Sequence, residues 1–188
     1  MGFALAEAAS DVPFERRIDA ARDGDEDAMR EVIERYQGRV ARFVVSLIGR
    51  DDDYEDLCQT AFVKMVLSLP GLRSVELFEA WLFRIVRNVC MDHLRRRHIR
   101  QLFVPFTRDH ESIAVEHEGP VEDEIMVFER ALRKLPPAQR ELIGLLRDKD
   151  WSYEELARIT RSSVSSVRAR LFRARSHLRE LVKQPQTD

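Results

Sequence analysis

Apolar side chains recur every three to four residues along nearly the whole of this chain. That spacing aligns them on one face of a 3.6-residue helix, so each segment must bury its stripe against another. Seven glycines and seven prolines in 188 residues leave few breaks, and an all-α fold is expected. Residues 14–22 read as a short helix broken at Asp23-Gly24. From Asp25 to about Gly49, Met29, Val32, Ile33, Tyr36, Val40, Phe43, Val44 and Leu47 form one stripe. Asp51-Asp52-Asp53 open the next helix, where carboxylates favour the positive end of the dipole. Leu57, Ala61, Phe62, Met65, Val66 and Leu69 lie along it, and it stops at Pro70-Gly71. After a loop, a long helix runs from about Phe78 to Arg100, with Trp81, Leu82, Ile85, Val86, Val89 and Leu94 inward.

Residues 101–121 break the pattern with Pro105, Gly119 and Pro120, and Asp109 to Glu129 holds eight acids and no Lys or Arg. That is the composition of a solvated, flexible linker. Helical spacing then resumes over roughly 122–134, 138–147, 153–160 and 163–182. The chain therefore divides into an N-terminal extension (1–14), a helical domain (15–100), a linker (101–121), a second helical domain (122–183) and a tail (184–188).

Charged residues make up 34% of the chain, yet the net charge is only −2, so the distribution of charge matters more than its sum. No run approaches the ~20 apolar residues of a membrane span. Residues 1–12 lack the basic start of a signal peptide. Cys58 and Cys90 stand far apart and read as free thiols. No metal cluster, cofactor motif or catalytic constellation is evident, and His93 and His98 have no obvious carboxylate partner. A cytoplasmic protein that is not an enzyme is expected.

Ser152-Tyr153-Glu154-Glu155 has the capping-box pattern, with Trp151 and Leu156 at the staple positions. A short helix starts there and ends near Thr160; Arg161-Ser162-Ser163 makes a turn. In the next helix Val164, Val167, Leu171, Ala174, Leu178 and Leu181 share one side, and Ser165, Arg168, Ala169, Phe172, Arg173 and Ser176 the other. Thr160 to Lys183 holds six Arg and one Lys against Glu180 alone. A short helix, tight turn and basic helix form a helix-turn-helix that suits a major groove. Arg168 can offer a bidentate fork to guanine. Arg170, Arg173 and Arg175 are better placed on phosphates.

The 78–100 helix begins with Phe78 and Trp81 and carries six Arg from Arg84 onward against Asp92. Basic residues favour a helix C-terminus in any case, but arginines, aromatics and a flanking loop also suit single-stranded DNA. Asp51, Asp52, Asp53, Glu55 and Asp56 would repel DNA and suit a basic protein partner.

Three segments, in order, resemble extracytoplasmic-function sigma factors of the sigma-70 type. Asp53-Tyr54-Glu55-Asp56-Leu57-Cys58-Gln59-Thr60-Ala61-Phe62 is similar to the family's region 2.2. Phe78 to Asn88 and Asp92 to Arg96 resemble regions 2.3–2.4; Trp151 to Ala157 with Val164 to Arg175 resembles region 4.2. The resemblance implies core RNA polymerase (β′ clamp helices, β flap), promoter DNA and an anti-sigma factor as partners. It places Asp53, Glu55, Asp56, Leu57, Gln59 and Phe62 on polymerase. Trp81, Arg84, Arg87, Asn88, His93, Arg95, Arg96 and Arg97 fall on the −10 element, Asn88 in a base-capture pocket. Ser165, Ser166, Arg168, Ala169, Arg170, Phe172, Arg173 and Arg175 fall on −35. Two features depart from the family: Arg161 stands where Gly is common, and the 71–77 loop lacks the usual small, polar Asp-Ser sequence. The competing reading is a helix-turn-helix regulator that binds duplex DNA without polymerase. An RNA-binding protein and a helical enzyme are further alternatives.

Overall fold

The computed structural model describes residues 13–49, 53–103 and 124–183. Asp51, Asp52, the bulk of the linker, the N-terminal extension up to residue 12 and the tail lie outside the described residues. Eight α-helices and two 3-10 turns are seen among the described residues. Helix α1 (Phe14–Arg22) buries Ile18 and Ala21, and Gly24, at φ 100°, turns the chain back. Helix α2 (Glu26–Ile48) is capped by Asp25, whose carboxylate accepts from the Ala28 amide at 2.9 Å. It is the axis of the molecule, burying Val32, Tyr36, Val40, Phe43, Val44 and Leu47 as its stripe requires.

Helix α3 (Tyr54–Ser68) packs on α2 and α4 through Ala61 and Met65. The 3-10 turns Leu69–Gly71 and Val75–Leu77 carry the chain into α4 (Phe78–Phe103). Phe78, Leu82, Phe83, Val86, Val89 and Cys90 of α4 are buried. The helix continues three residues beyond Arg100, where the sequence reading ends it. The second unit comprises α5 (Glu124–Lys134), α6 (Pro137–Asp148), α7 (Tyr153–Thr160) and α8 (Val164–Lys183). Pro137 opens α6, where a missing amide costs nothing.

The two units share one continuous core, running from Ile18 in α1 to Ala174 in α8. Helix α6 lies along α2, and α7 lies on α4, where Phe83 and Trp151 meet edge-on at 5.4 Å. Gly144 makes the α2–α6 approach possible: a Cβ there would overlap the Ser46 hydroxyl and crowd Phe43 at 3.3 Å. Arg140 closes the seam, donating to the carbonyls of Leu47 at 2.6 Å, Arg133 at 2.6 Å and Leu135 at 2.9 Å. One guanidinium thus satisfies the last turns of two helices, α2 and α5.

Candidate nucleic-acid and partner interface

The helix-turn-helix is built as its local sequence dictates. The Glu155 amide donates to the Ser152 hydroxyl at 3.2 Å, and the Glu155 carboxylate accepts from the Ser152 amide at 2.8 Å. Trp151 and Leu156 are buried on either side. Arg161 turns the chain at φ 51°, ψ 50°, in the left-handed region where an L side chain is strained. The serines hold the turn as well: Ser163 accepts from the Ser166 amide at 3.2 Å, and Thr160 and Ser162 share a hydrogen bond of 2.7 Å. On α8, Val167, Leu171 and Ala174 are buried, while Ser165, Arg168, Ala169, Arg173 and Arg175 are exposed. Phe172 leaves 74% of its surface in solvent. Arg168 stacks over Tyr153, its guanidinium 5.1 Å from the ring centre. Arg170 departs from this face. Its guanidinium turns inward to Glu141 at 3.2 Å and also donates to Ser162.

A cleft of about 260 Å³ opens between the 71–77 loop and the start of α4. Arg73, Ser74, Trp81 and Arg84 line it, with Arg158 of α7 in its wall and no carboxylate among the lining residues. Asn88 is half-buried one turn beyond Arg84 and is not among the cleft's lining residues. Arg87 points to Glu141 at 2.6 Å. Further along α4, Arg95 is exposed and pairs with Asp92 at 2.8 Å; Arg96 is exposed and Arg97 half-buried. Arg96 lines a groove of about 500 Å³ with Lys64 and Arg100, over Leu57, Val89 and Ile99.

His93 corrects the sequence reading. Only 10% of its side chain is exposed, because α3 packs over it, and its Nδ1 lies 3.7 Å from the Asp53 carboxylate. It therefore has an acidic neighbour, and it lies low in the groove lined by Lys64, Arg96 and Arg100. Its Nε2 is buried and unpartnered.

On α3, Asp53, Glu55, Asp56 and Gln59 are exposed, while Leu57 and Phe62 are half-buried against the core. The exposed strip continues as Val63, Val66 and Leu67, the last 77% exposed. Val66 is also on the surface, because α2 and α4 take only the Ala61–Met65 edge of this helix. Val63 and Leu67 fall outside the inward stripe in the sequence, which is the signal that finds them.

Both cysteines are free. Burial, with Cys58 nearby, pushes the Cys90 thiol up to about 12, so it is a neutral packing residue at physiological pH. Among the described residues no group of three or more His, Cys, Asp or Glu is placed to hold a metal ion. No helix among the described residues is long and apolar enough to cross a membrane.

The family profile for Sigma-70 region 2 matches residues 32–99, and that for Sigma-70, region 4 matches residues 125–178. The ECF RNA polymerase sigma-E factor of Escherichia coli K12 is 30% identical over 173 residues, covering 84% of this chain and 88% of that one. The ECF RNA polymerase sigma factor SigE of Mycolicibacterium smegmatis is 32% identical over 168 residues; the match spans 63% of its length. Among solved structures, CnrH in complex with the cytosolic domain of CnrY aligns with a TM-score of 0.68 at 26% identity, over 89% of this chain and 96% of that one. The sigma factor RpoE of Bartonella quintana, in complex with the anti-sigma factor NepR, aligns with a TM-score of 0.66 at 26% identity, over 84% of this chain and 98% of that one. With both sigma-70 regions in order on two helical units, and a 30% identical relative matched over 88% of its length, the chain belongs to the extracytoplasmic-function family of RNA polymerase sigma factors.

Proposed function

We propose that this chain directs core RNA polymerase to promoters through three surfaces. Helix α8 enters the −35 major groove, with Arg168, Ala169 and Phe172 facing bases and Arg173 and Arg175 on phosphates. The cleft between the 71–77 loop and α4 takes the melted −10 strand, with Trp81 as a stacking platform and Arg73 and Arg84 on its backbone. The exposed strip of α3, acidic at Asp53, Glu55 and Asp56 and apolar at Val63 and Leu67, docks on the polymerase clamp.

The supporting observation is segregation: exposed acids and apolar side chains gather on α3, whereas α8 exposes arginines and Phe172. No bond is made or broken by this protein, which acts in the cytoplasm, where the polymerase is. CnrH and RpoE were each solved with a partner, in the second case an anti-sigma factor, which supports one here. Run-off transcription with purified core polymerase on a promoter library tests the reading. Initiation that depends on this chain is expected, and the transcripts yield both promoter elements. Tight duplex binding without any initiation would instead favour a helix-turn-helix regulator.

A further inference from the structure

None of the three surfaces above uses the groove between α3 and α4. Each wall of it is one helical stripe. Leu57, Thr60 and Lys64 follow one another at i, i+3 and i+7 on α3, and Val89, His93, Arg96 and Arg100 at i, i+4, i+7 and i+11 on α4. Val89 is buried and Leu57 half-buried, so they form the floor. Lys64, Arg96, Ile99 and Arg100 are exposed and form the rim.

The rim is unbalanced in charge. Among the described residues Lys64, Arg96 and Arg100 have no acidic partner. The acid in the lining, Asp92, is already held by Arg95 at 2.8 Å. Arg96 and Arg100 stand at i, i+4, where like charges destabilise a helix. A second observation points into the same groove. His93 is nine-tenths buried in its lining; Nδ1 faces Asp53, but Nε2 has no hydrogen-bond partner. A buried polar atom left unpaired is costly, and a bound ligand group offsets that cost.

We propose that the groove is a binding site for a small phosphate monoester with an apolar body. Lys64, Arg96 and Arg100 take the phosphate through charge-assisted hydrogen bonds. Leu57, Val89 and Ile99 take the body. The volume, about 500 Å³, falls in the range of small-molecule sites. Three cations on one rim match a dianion better than the single charge of a carboxylate. A nucleobase would bring polar edges, and Thr60 is the neutral hydroxyl in this lining that could meet them. A DNA strand stacks its bases on aromatic rings, which the cleft at Trp81 supplies; the apolar lining here is aliphatic. Binding needs only the free chain, whatever its role at promoters.

The probe is 1-naphthyl phosphate, titrated into the full chain without polymerase or DNA. Calorimetry reads affinity, and nuclear magnetic resonance reads the His93 ring nitrogens and the Ile99 methyl groups. One saturable site is expected, with a Kd on the order of 100 µM. Lys64→Gln and Arg96→Gln should each weaken it about 10-fold, and Ile99→Ser about 5-fold. Lys134→Gln, an exposed site on α5, is the control for one lost positive charge and should bind as wild type does. Inorganic phosphate, neutral 1-naphthalenemethanol and guanosine monophosphate should each bind about 10-fold more weakly or less. The substituted side chains are exposed, so folding should hold, which circular dichroism checks. Absence of saturable binding overturns the proposal. So does equal affinity in Lys64→Gln, Arg96→Gln and the control. Shifts at Trp81 without shifts at His93 and Ile99 would put the probe in the loop cleft and overturn it too. Inorganic phosphate or guanosine monophosphate binding as tightly as the probe would overturn the ligand class.

Discussion

Arg39 of α2 grips Asp148 of α6 with two parallel hydrogen bonds, Nε to Oδ1 at 2.9 Å and Nη2 to Oδ2 at 2.7 Å, across 109 residues of sequence. The Asp148 side chain is only 3% exposed. Removing the guanidinium leaves a buried carboxylate without its partner. Arg39→Met should therefore cost about 3–5 kcal/mol in urea denaturation. A loss below about 1 kcal/mol would mean that the pair counts for no more than an exposed one.

Acid should weaken the same seam. Burial alone would raise the Glu79 carboxyl, but hydrogen bonds and charge from Arg39 and Lys149 reverse this and hold it at about 2. A carboxyl depressed by folding stabilises above its ordinary value and ceases to do so as pH falls through its folded value. Stability should thus decline between pH 4.5 and about 2. Urea melts of Glu79→Gln at successive pH values should show a shallower decline over that window.

The helix-turn-helix offers two substitutions of opposite sign. Arg161→Gly relieves the left-handed strain and should add about 1 kcal/mol. Ser152→Ala deletes the cap of α7 and should remove about 1 kcal/mol. Calorimetry should show Tm moving up and down respectively, by roughly 2–4 °C per kcal/mol.

On α8 the two classes of arginine separate in a promoter-binding assay with holoenzyme. Arg168→Ala should relax preference at one −35 position, at a cost of about 1–3 kcal/mol. Arg175→Ala should lower affinity evenly across sequences and reduce the salt slope by about 1.

The exposed strip of α3 should matter to polymerase and not to folding. Leu67→Ser and Asp56→Ala are each expected to leave the urea midpoint within about 0.5 kcal/mol of wild type. Both should weaken binding to core in a pull-down titration. Unchanged affinity in both would remove α3 from the polymerase interface.

Much of the fold is legible along the chain. The helices, the capping box at Ser152 and Glu155, and the outward face of α8 all follow from residues within a turn or two of one another. Arg168, Phe172 and Arg173 are exposed where spacing puts them. The acidic neighbour of His93 and the exposure of Val66 come from how α2, α3 and α4 pack, because neighbouring helices decide which edge of a helix is covered. Arg158 enters the loop cleft from α7, and nothing near it in sequence points to that.

Sequence alone thus determined where the helices start, stop and present their apolar faces, because capping and periodicity act over three or four residues. Tertiary structure alone decided which charges are free. Arg87 and Arg170 are 83 positions apart; the family resemblance places the first on −10 DNA and the second on −35 DNA. Packing of α6 brings Glu141 to both. A buried carboxylate recruits whatever cations lie within reach in space, since leaving it unpaired away from water costs more than turning two arginines inward.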